Sequence, residues 1–279
     1  TVTDTTHVSC NGGSDGSATV SAFSGTPFSN AIKPYIIIWP VPVSTRDTTK
    51  TLTTTGLSAS SYLVTVEDSM ACKMIKPVII TQPTALTINF TIVNASCNGK
   101  TDGSVNATAS GGTAPFSYKW QLSGSTSQGI STLSAGSYII TVRDAKSCIL
   151  IDTAIVTQPD SLKISFKKQN VTCKSSDNGR DTAIVTGGTR AYIYGWSTNS
   201  SDSVITGLSP GVYTVTVIDA KLCTTVSSNI ITEPDTLAIV FASQKNVSCN
   251  GLCDGVIRAS SAGGTAPFLY KWSTSPVQD

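Results

Sequence analysis

The stretch SCNGKTDGSVNATASGGTAPFSYKW at residues 96–120 returns at residues 248–272 as SCNGLCDGVIRASSAGGTAPFLYKW, and sixteen of the twenty-five letters are identical without a gap. Cysteines recur every 76 residues, at Cys97, Cys173 and Cys249. Tryptophans recur at the same interval, at Trp120, Trp196 and Trp272. A period of this length predicts an array of whole small domains rather than a duplicated active site.

The boundaries of these domains are marked by the tripeptides TQP, TQP and TEP, which end at Pro83, Pro159 and Pro234. They predict one repeat at 1–83 with an incomplete first strand, complete repeats at 84–159 and 160–234, and the first half of a fourth at 235–279. Because half a sandwich cannot bury its core, we expect the natural protein to continue beyond Asp279. The first repeat is longer than the others because of insertions on both sides of Trp39, which we predict to be loops.

The hydrophobic pattern inside each repeat has the period of a β-strand. In GSVNATAS at 103–110 and in SYIITVRD at 137–144, apolar residues alternate with other residues along the chain, which is typical of strands with one buried face. We predict six or seven short strands in each repeat and no helices. The fold class is therefore all-β, with tandem immunoglobulin-like β-sandwich domains in a rod-like array.

Two aromatic positions support the sandwich. A Trp on an early central strand and a Tyr that follows a Leu-Ser-x-x motif are where such sandwiches place a core Trp and a tyrosine corner. The Tyr positions are Tyr62, Tyr138 and Tyr213. We interpret both aromatic groups as packing residues rather than as platforms for a ligand.

Composition argues against several classes of function. Lys and Arg number 19 and Asp and Glu 17, so the net charge of +2 is far from that of a nucleic-acid-binding domain. The longest apolar run, at 35–43, is far shorter than the roughly 20 residues that span a bilayer. We expect no nucleic-acid partner and no insertion into a membrane.

The repeated motifs carry a family resemblance. The strings V-S-C-N-G-x-x-D-G-S, G-G-T-A-P-F-x-Y-x-W and L-S-A-G-x-Y-x-x-T-V-x-D-A-x-x-C, followed by T-Q-P, resemble the SprB repeat of gliding-motility adhesins and other giant surface proteins of Bacteroidota. The third repeat departs from the pattern, because it reads CKSSDNG at 173–179 where the others have Cys-Asn-Gly-x-x-Asp-Gly. The resemblance implies an extracellular protein at the cell surface that is exported by type IX secretion.

The eight cysteines suggest disulfides, and repetition narrows the pairing. We predict one bond inside each complete repeat, on the expectation that its two cysteines lie at the same end of the sandwich; the pairs are Cys10 with Cys72, Cys97 with Cys148, and Cys173 with Cys223. Such a bond closes a loop of roughly 50 residues and is worth about 4 kcal/mol. Cys249 could pair with Cys253 or with a residue beyond Asp279. Disulfides would place the protein outside the cytosol.

Candidate sites for catalysis or metal binding are few. The chain has a single histidine, His7, and no Cys-x-x-Cys pair, so we predict no enzyme, no structural zinc and no cofactor. Calcium is the remaining candidate metal, because six Asp residues recur at equivalent places: Asp15, Asp102 and Asp254 in the first turn, and Asp68, Asp144 and Asp219 after the Tyr strand. Turn formation explains these Asp residues more simply.

A further pattern is Asp, then Ser or Thr, then a small apolar residue, Met or Thr. It resembles the O-glycosylation signal of the same bacterial group, in which the middle hydroxyl is the acceptor. The candidate acceptors are Thr5, Thr48, Ser69, Thr153, Ser161, Thr182, Ser203 and Thr236. We interpret Thr153 as the weakest of these, because it could face inward, and Thr182 as lying at an outward strand position.

The predicted function is that of a repetitive cell-surface adhesin or filament segment, acting as a stiff extracellular spacer in gliding motility or surface attachment. The expected partners are neighbouring repeats, surface polysaccharide and other copies of the adhesin. One alternative is an array of polysaccharide-binding modules, with KPYIIIWP at 33–40 as its best candidate site. The other is a passive stalk that carries an exported enzyme.

Overall fold

The structure, a computed structural model, describes residues 1–23, 35–40, 46–47 and 50–273. In this part of the chain all regular secondary structure is β-strand, as the period-two pattern predicts. Among the described residues, no helix is long and apolar enough to cross a membrane. Contacts between residues divide the chain into two compact units, one of residues 1–95 and 101–157 and the other of residues 96–100 and 158–279.

In its described residues the first sandwich has seven strands, β1 Val2–Thr6, β2 Gly16–Ser21, β3 Ile36–Ile38, β4 Arg46–Asp47, β5 Thr51–Leu57, β6 Ser60–Glu67 and β7 Lys73–Ile80. One sheet has the order β1-β2-β5 and the other β4-β3-β6-β7, with antiparallel neighbours. The core between them includes Trp39, Leu57 and Tyr62.

The second sandwich is made of six strands, β8 Thr87–Val93, β9 Gly103–Ser110, β10 Ser117–Trp120, β11 Gly129–Leu133, β12 Gly136–Arg143 and β13 Ile149–Val156. Its sheets have the orders β11-β9-β8 and β10-β12-β13. Val105, Ile140 and Val142 lie in the core that also contains Trp120, which confirms the predicted alternation in β9 and β12.

The third sandwich repeats this topology with β14 Lys163–Gln169, β15 Gly179–Thr186, β16 Tyr192–Trp196, β17 Val204–Leu208, β18 Gly211–Asp219 and β19 Thr224–Ile231. Its sheets have the orders β14-β15-β17 and β16-β18-β19. The fourth repeat contributes one hairpin of β20 Ala238–Lys245 and β21 Val256–Ala262, on which Ile239 and Phe241 are exposed. Residues of this hairpin that correspond to core residues of the second sandwich therefore lack an opposite sheet in the described part of the chain.

The predicted aromatic positions have the structural roles that the sequence indicates. Tyr62, Tyr138 and Tyr213 each donate a hydrogen bond to the carbonyl four residues earlier, at O–O distances of 3.0, 2.8 and 2.8 Å. The indole Nε1 of Trp120 donates to the carbonyl of Ser127 at 3.1 Å, so this fully buried side chain has its polar atom satisfied. The tyrosine corners are thus confirmed, and so are the core positions of Trp39, Trp120 and Trp196, whereas Trp272 is 51% exposed.

One expectation about the first repeat is wrong. The segment before Trp39 was expected to be a loop that could present aromatic rings to a ligand, but Ile36–Ile38 forms strand β3, paired with β6. Tyr35 and Trp39 are 7% and 1% exposed, and Trp39 packs edge-on against Tyr62. These residues occupy the place of Phe116 and Trp120 in the next repeat, and the rest of the predicted insertion, at 24–34 and 41–45, lies outside the described residues.

Candidate functional site at the disulfide joints

The first of the two disulfides in the structure lies where the first and second sandwiches meet. It joins Cys10, in the turn between β1 and β2, to Cys148, in the turn between β12 and β13, with a Cα–Cα distance of 5.6 Å. The second disulfide joins Cys97, between β8 and β9, to Cys223, between β18 and β19, with a Cα–Cα distance of 5.7 Å. Each bond therefore connects consecutive repeats.

The predicted pairing inside each repeat is wrong in all three cases, because Cys72 and Cys173 are free and exposed while the other four cysteines bond between repeats. In the first sandwich, Cys72 precedes β7, whereas the Cys10 turn contacts the residues that follow β7. The two cysteines thus lie at opposite ends of an eight-residue strand, about 26 Å long. A disulfide needs Cα atoms within about 7 Å.

The turn that carries Cys10 is bound to the linker at the end of its own repeat. The Nδ2 of Asn11 donates to the carbonyl of Pro83 at 3.0 Å, and the backbone N–H of Gly12 donates to Oε1 of Gln82 at 2.7 Å. This explains why the motifs Cys-Asn-Gly and Thr-Gln-Pro recur together. The side chains of both motifs hold the linker against the cysteine turn from which the disulfide leaves.

The same contacts recur in the later repeats. Asn98 donates to Pro159 at 3.1 Å and the N–H of Gly99 donates to Gln158 at 2.7 Å. In the third repeat the linker acceptor is Glu233, whose Oε2 accepts the N–H of Ser175 at 2.8 Å. The change from TQP to TEP therefore keeps a side-chain carbonyl or carboxylate oxygen at this place.

The Asp of the first turn closes the turn itself. The Oδ1 of Asp15 accepts the N–H of Ser9 at 2.9 Å, and Asp254 accepts the N–H of Ser248 at the same distance. In the divergent third repeat Asn178 accepts the N–H of Thr172 at 3.1 Å, so the turn is closed although its sequence differs. Hydrogen bonds from Ser9, with a smaller contribution from the positive charge of Lys146 in the next repeat, hold the pKa of Asp15 below its usual range.

The opposite cysteine turn is organised by a buried Asp. The Oδ1 of Asp144 accepts the N–H groups of Lys146 and Cys148, each at 2.9 Å, and its Oδ2 accepts the N–H of Thr113 at 2.8 Å. Asp219 makes the equivalent three bonds in the third sandwich, to Lys221, Cys223 and Thr189. Burial by itself would raise the pKa of both carboxyls, but these N–H donors outweigh it and hold each pKa below the usual range.

These bonds give the recurring Asp residues a structural role in the turns. A calcium site needs six to eight oxygens, and the oxygens of Asp144 and Asp219 already accept backbone N–H groups. Within residues 1–23, 35–40, 46–47 and 50–273 there is no cluster of three His, Cys, Asp or Glu residues that could hold a metal ion.

Acidification is expected to destabilise the protein through these carboxyls. Their folded-state pKa is lowered, so their contribution to stability is present above the unfolded pKa of about 3.9 and is lost as the pH falls through the folded-state pKa. Thermal unfolding followed by circular dichroism should therefore show a flat midpoint from about pH 5 to 8 and a fall below about pH 4. Asp144→Asn should be less stable at neutral pH and should show a shallower acid fall, and an unchanged acid profile would contradict this.

The Gly-Gly motif lies against the linker at each joint. A Cβ on Gly111 would lie 1.9 Å from the carbonyl oxygen of Ala85, and a Cβ on Gly187 would lie 2.0 Å from that of Ser161. The N–H of Gly112 donates to the carbonyl of Thr84 at 2.9 Å. Only glycine lets the linker backbone come this close, so the motif serves the joint directly.

Gly111→Ala is expected to be strongly destabilising, and Gly124→Ala is its matched control. Both glycines have positive φ, 73° and 64°, so both variants carry a backbone penalty of roughly 1–2 kcal/mol. Only Gly111 adds a clash, because a Cβ on Gly124 meets nothing within 4 Å. Urea unfolding should show the larger loss for Gly111→Ala, and equal losses would show that the linker does not depend on this contact.

The structure also describes Cys249 and Cys253 and most of the candidate glycan acceptors. Cys249 and Cys253 are both free and exposed, so the bond considered between them is not formed.

Of the candidate glycan acceptors, Thr153, Ser161, Ser203 and Thr236 are exposed, whereas Thr5, Ser69 and Thr182 are half-buried. Thr153 therefore does not face inward. Asp181, next to Thr182, is fully buried, and Thr48 lies outside the described residues.

Comparison with known families supports the resemblance seen in the motifs. The SprB repeat model matches three segments of the chain, residues 2–28, 89–124 and 242–277. The matched segments lie in the first, second and fourth repeats, and the third repeat, with its divergent first turn, is not among them. A comparison with curated proteins finds no match.

The chain also shows similarity to solved structures. The N-terminal eight Ig domains of Down Syndrome Cell Adhesion Molecule isoform 1.30.30 match with 10% identity and a TM-score of 0.36, covering 79% of this chain and 35% of that one. The C-terminal 282-residue fragment of intimin, solved with the intimin-binding domain of its translocated receptor, matches with 18% identity and a TM-score of 0.34, covering 59% and 67%. The chain thus spans about a third of the first of these structures, and the low TM-scores support no argument about function.

Proposed function

We propose that this chain is a segment of a repetitive extracellular protein at the cell surface, in which SprB-type sandwiches act as a stiff spacer of an adhesin or filament in gliding motility or surface attachment. The observation that carries the proposal is that each joint described above has two covalent connections, a short linker with Pro and a disulfide. A joint with one connection can bend and twist, whereas a second connection removes most of that freedom.

The contacts around the first joint support the same role. The linker residues Gln82 and Pro83 are bound by the Cys10 turn of the preceding sandwich, and Thr84 and Ala85 lie against the Gly-Gly motif of the following one. Pro also fixes its own φ and restricts the residue before it. Little of this linker is left without a contact, as a spacer that must transmit force requires.

The chemistry of the protein is consistent with an extracellular place. Disulfides persist in oxidising compartments and are rare in the cytosol. Each sandwich is small, and a domain of about 76 residues gains only a few kcal/mol from its own core. Bonds between repeats would protect such domains where no chaperone can refold them. The proposal assigns no catalytic role to this segment and no resident metal.

Small-angle X-ray scattering on the oxidised and the reduced chain tests the spacer role. The oxidised chain should be extended, with an advance of about 35–45 Å per sandwich, since strands of about six residues span roughly 20 Å and turns and joints add to this. Reduction should broaden the distribution of distances without unfolding every sandwich. A compact oxidised particle would contradict the proposal, and so would identical curves for the two states.

Labelling of intact cells of the source organism tests the location. Antibodies against the third sandwich should bind cells that have not been permeabilised, and shortening the array by one repeat should reduce attachment or gliding. If the segment is instead a passive stalk for an exported enzyme, attachment should not change and only the placement of the enzyme should. A purely intracellular signal would overturn the proposed location.

We also propose O-linked glycans on exposed hydroxyls of the Asp-Ser/Thr triplets, with Ser161 and Thr236 as the principal acceptors because both are exposed in linkers after Pro. Glycans there would keep neighbouring chains apart. Electrostatic repulsion between the chains is weak, because the net charge is only +2.

Mass spectrometry of protein from the source organism should find sugar on Ser161 and Thr236. Thr84 is also exposed in the first linker but does not follow Asp, so it should be bare. Sugar on Thr84 alone would rule out the triplet.

A further inference from the structure

The third sandwich carries three polar side chains at places where the second sandwich is apolar. They are Lys168 on β14, Asp181 on β15 and Asn229 on β19, and the equivalent residues of the second sandwich are Ile92, Val105 and Ala154. Val105 and Ala154 are core residues, each 1% exposed. The third sandwich has therefore replaced apolar packing at this place by groups that can react with one another.

Asp181 is a buried carboxylate without an ion pair. The residue is 0% exposed, and among the residues that the structure describes it forms no salt bridge. Its Oδ1 accepts the backbone N–H of Thr182 at 2.9 Å, and its Oδ2 accepts the Nδ2 of Asn229 at 2.9 Å. A buried charge without a cation costs free energy that a Val at this position would not cost. Packing therefore does not explain this Asp.

The side-chain amide of Asn229 is held at both of its polar atoms. Its Nδ2 lies against the carboxylate of Asp181, and its Oδ1 accepts the backbone N–H of Ile230 at 3.0 Å. A carboxyl group beside an amide nitrogen can protonate that nitrogen as it leaves. An N–H donor at the carbonyl oxygen stabilises the negative charge that develops there when a nucleophile attacks. Both contacts favour attack on the Cγ of Asn229.

Lys168 brings an amine to the same place from the opposite sheet. It lies on the edge strand β14, directly across from Asp181, and its Nζ donates to the carbonyl of Ile230 on β19 at 2.7 Å. Ile230 follows Asn229 in the chain, so the amine is held at the residue next to the amide. Lys168 is exposed and Asn229 is half-buried. The site is therefore open to water at the edge of the sandwich, and a small leaving group can escape.

From this arrangement we infer that Lys168 and Asn229 form an isopeptide bond within the third sandwich, with Asp181 as the catalytic base and acid. The carboxylate of Asp181 takes one proton from the ammonium of Lys168, and the lone pair of Nζ attacks Cγ of Asn229 while the π pair of the carbonyl moves to Oδ1. Asp181 then gives its proton to Nδ2 and takes a second proton from Nζ. The carbonyl re-forms, the bond from Cγ to Nδ2 breaks, and ammonia leaves with the proton that remains on Asp181. One amide is formed for each ammonium ion released.

The bond joins the first strand of the third sandwich, β14, to its last strand, β19. A force applied along the chain would then pass from one strand to the other without stretching the strands between them. Each side chain reacts only once, so the reaction is a self-modification and not enzymatic turnover. The inference concerns covalent chemistry inside one sandwich and does not depend on the adhesive role.

Intact-mass spectrometry of the purified, full 279-residue chain, with its disulfides reduced, tests the inference. The mass should be lower than that of the sequence by about 17 Da, which is one ammonia lost when the Lys nucleophile acylates. Trypsin should not cut after Lys168 and should release a branched peptide that contains Lys168 and Asn229. Any expression host serves, because the reaction uses only groups of the chain. The full sequence mass in the folded wild-type chain would overturn the inference.

Three variants introduce the residue that the second sandwich has at the same place, so each is compatible with this fold: Lys168→Ile, Asp181→Val and Asn229→Ala. Each should have its full sequence mass, while circular dichroism shows that it is folded. Lys167→Arg is the matched control, because Lys167 is the exposed neighbour of Lys168 on β14, and it should keep the mass loss. A mass loss that persists in Lys168→Ile or Asn229→Ala would overturn the bond. An undiminished loss in Asp181→Val would overturn the role of Asp181.

Discussion

Replacing Cys10 and Cys148 together by Ser is expected to be among the most destabilising changes in this protein. The bond joins residues 138 positions apart, and closing a loop of this size reduces the entropy of the unfolded chain by an amount worth about 5 kcal/mol. The bond also couples two sandwiches, so its loss should separate their unfolding. Calorimetry of the oxidised protein should show one combined transition for these sandwiches, and the variant should show two at lower temperature.

Cys72→Ser is the matched control for this change, because it replaces a cysteine in the equivalent turn that has no disulfide bond in the structure. Its unfolding should differ from that of the wild type by no more than about 0.5 kcal/mol. If the double variant unfolds like this control, the disulfide contributes little and the linker contacts alone hold the joint. If Cys72→Ser is as damaging as the double variant, the predicted role of the bond is wrong.

Trp120→Ala should cost about 3–5 kcal/mol, which is most of the net stability of a domain of this size. The side chain is 1% exposed, lies between the two sheets of the second sandwich and uses its Nε1 to bind the carbonyl of Ser127. Truncation leaves a large cavity and an unsatisfied carbonyl. Urea unfolding followed by circular dichroism, with the other sandwiches as an internal reference, measures the loss.

Trp272→Ala is the control for this prediction, because Trp272 stands at the same position of the repeat but is 51% exposed. Its replacement should change stability by about 0.5 kcal/mol or less. Both variants replace a Trp at the same position of the repeat by Ala, so a difference in their stability losses measures the effect of burial. Equal losses for the two variants would show that Trp120 does not act through the core of its sandwich.

Features inside one repeat could be predicted from the sequence because they depend on neighbours along the chain. Alternation of apolar residues places Val105 and Ile140 in the core, and the spacing from Ser134 to Tyr138 determines the tyrosine corner. The recurring motifs were likewise enough to indicate the SprB repeat, which the comparison finds in three segments. These inferences need only local geometry and the period of a strand.

The cysteine pairing could have been predicted only by following the direction of each strand. A chain that leaves the first sandwich along β7 has its linker at the end of β7, and the Cys10 turn must lie there because Asn11 and Gly12 bind that linker. The turn before β7 then lies at the opposite end. A cysteine pattern alone does not contain this information, because it records spacing and not which end of a sandwich each turn occupies.

The sequence by itself determined the strands, the core aromatic residues and the repeat, since these follow from apolar periodicity and short-range hydrogen bonds. The tertiary structure alone decided that Cys10 bonds to Cys148 and that Tyr35 and Trp39 belong to a strand of the core rather than to a binding loop. The physical reason is that a disulfide requires two Cα atoms within about 7 Å. Across a separation of 138 residues, that proximity depends on how whole sandwiches stack and not on any local pattern.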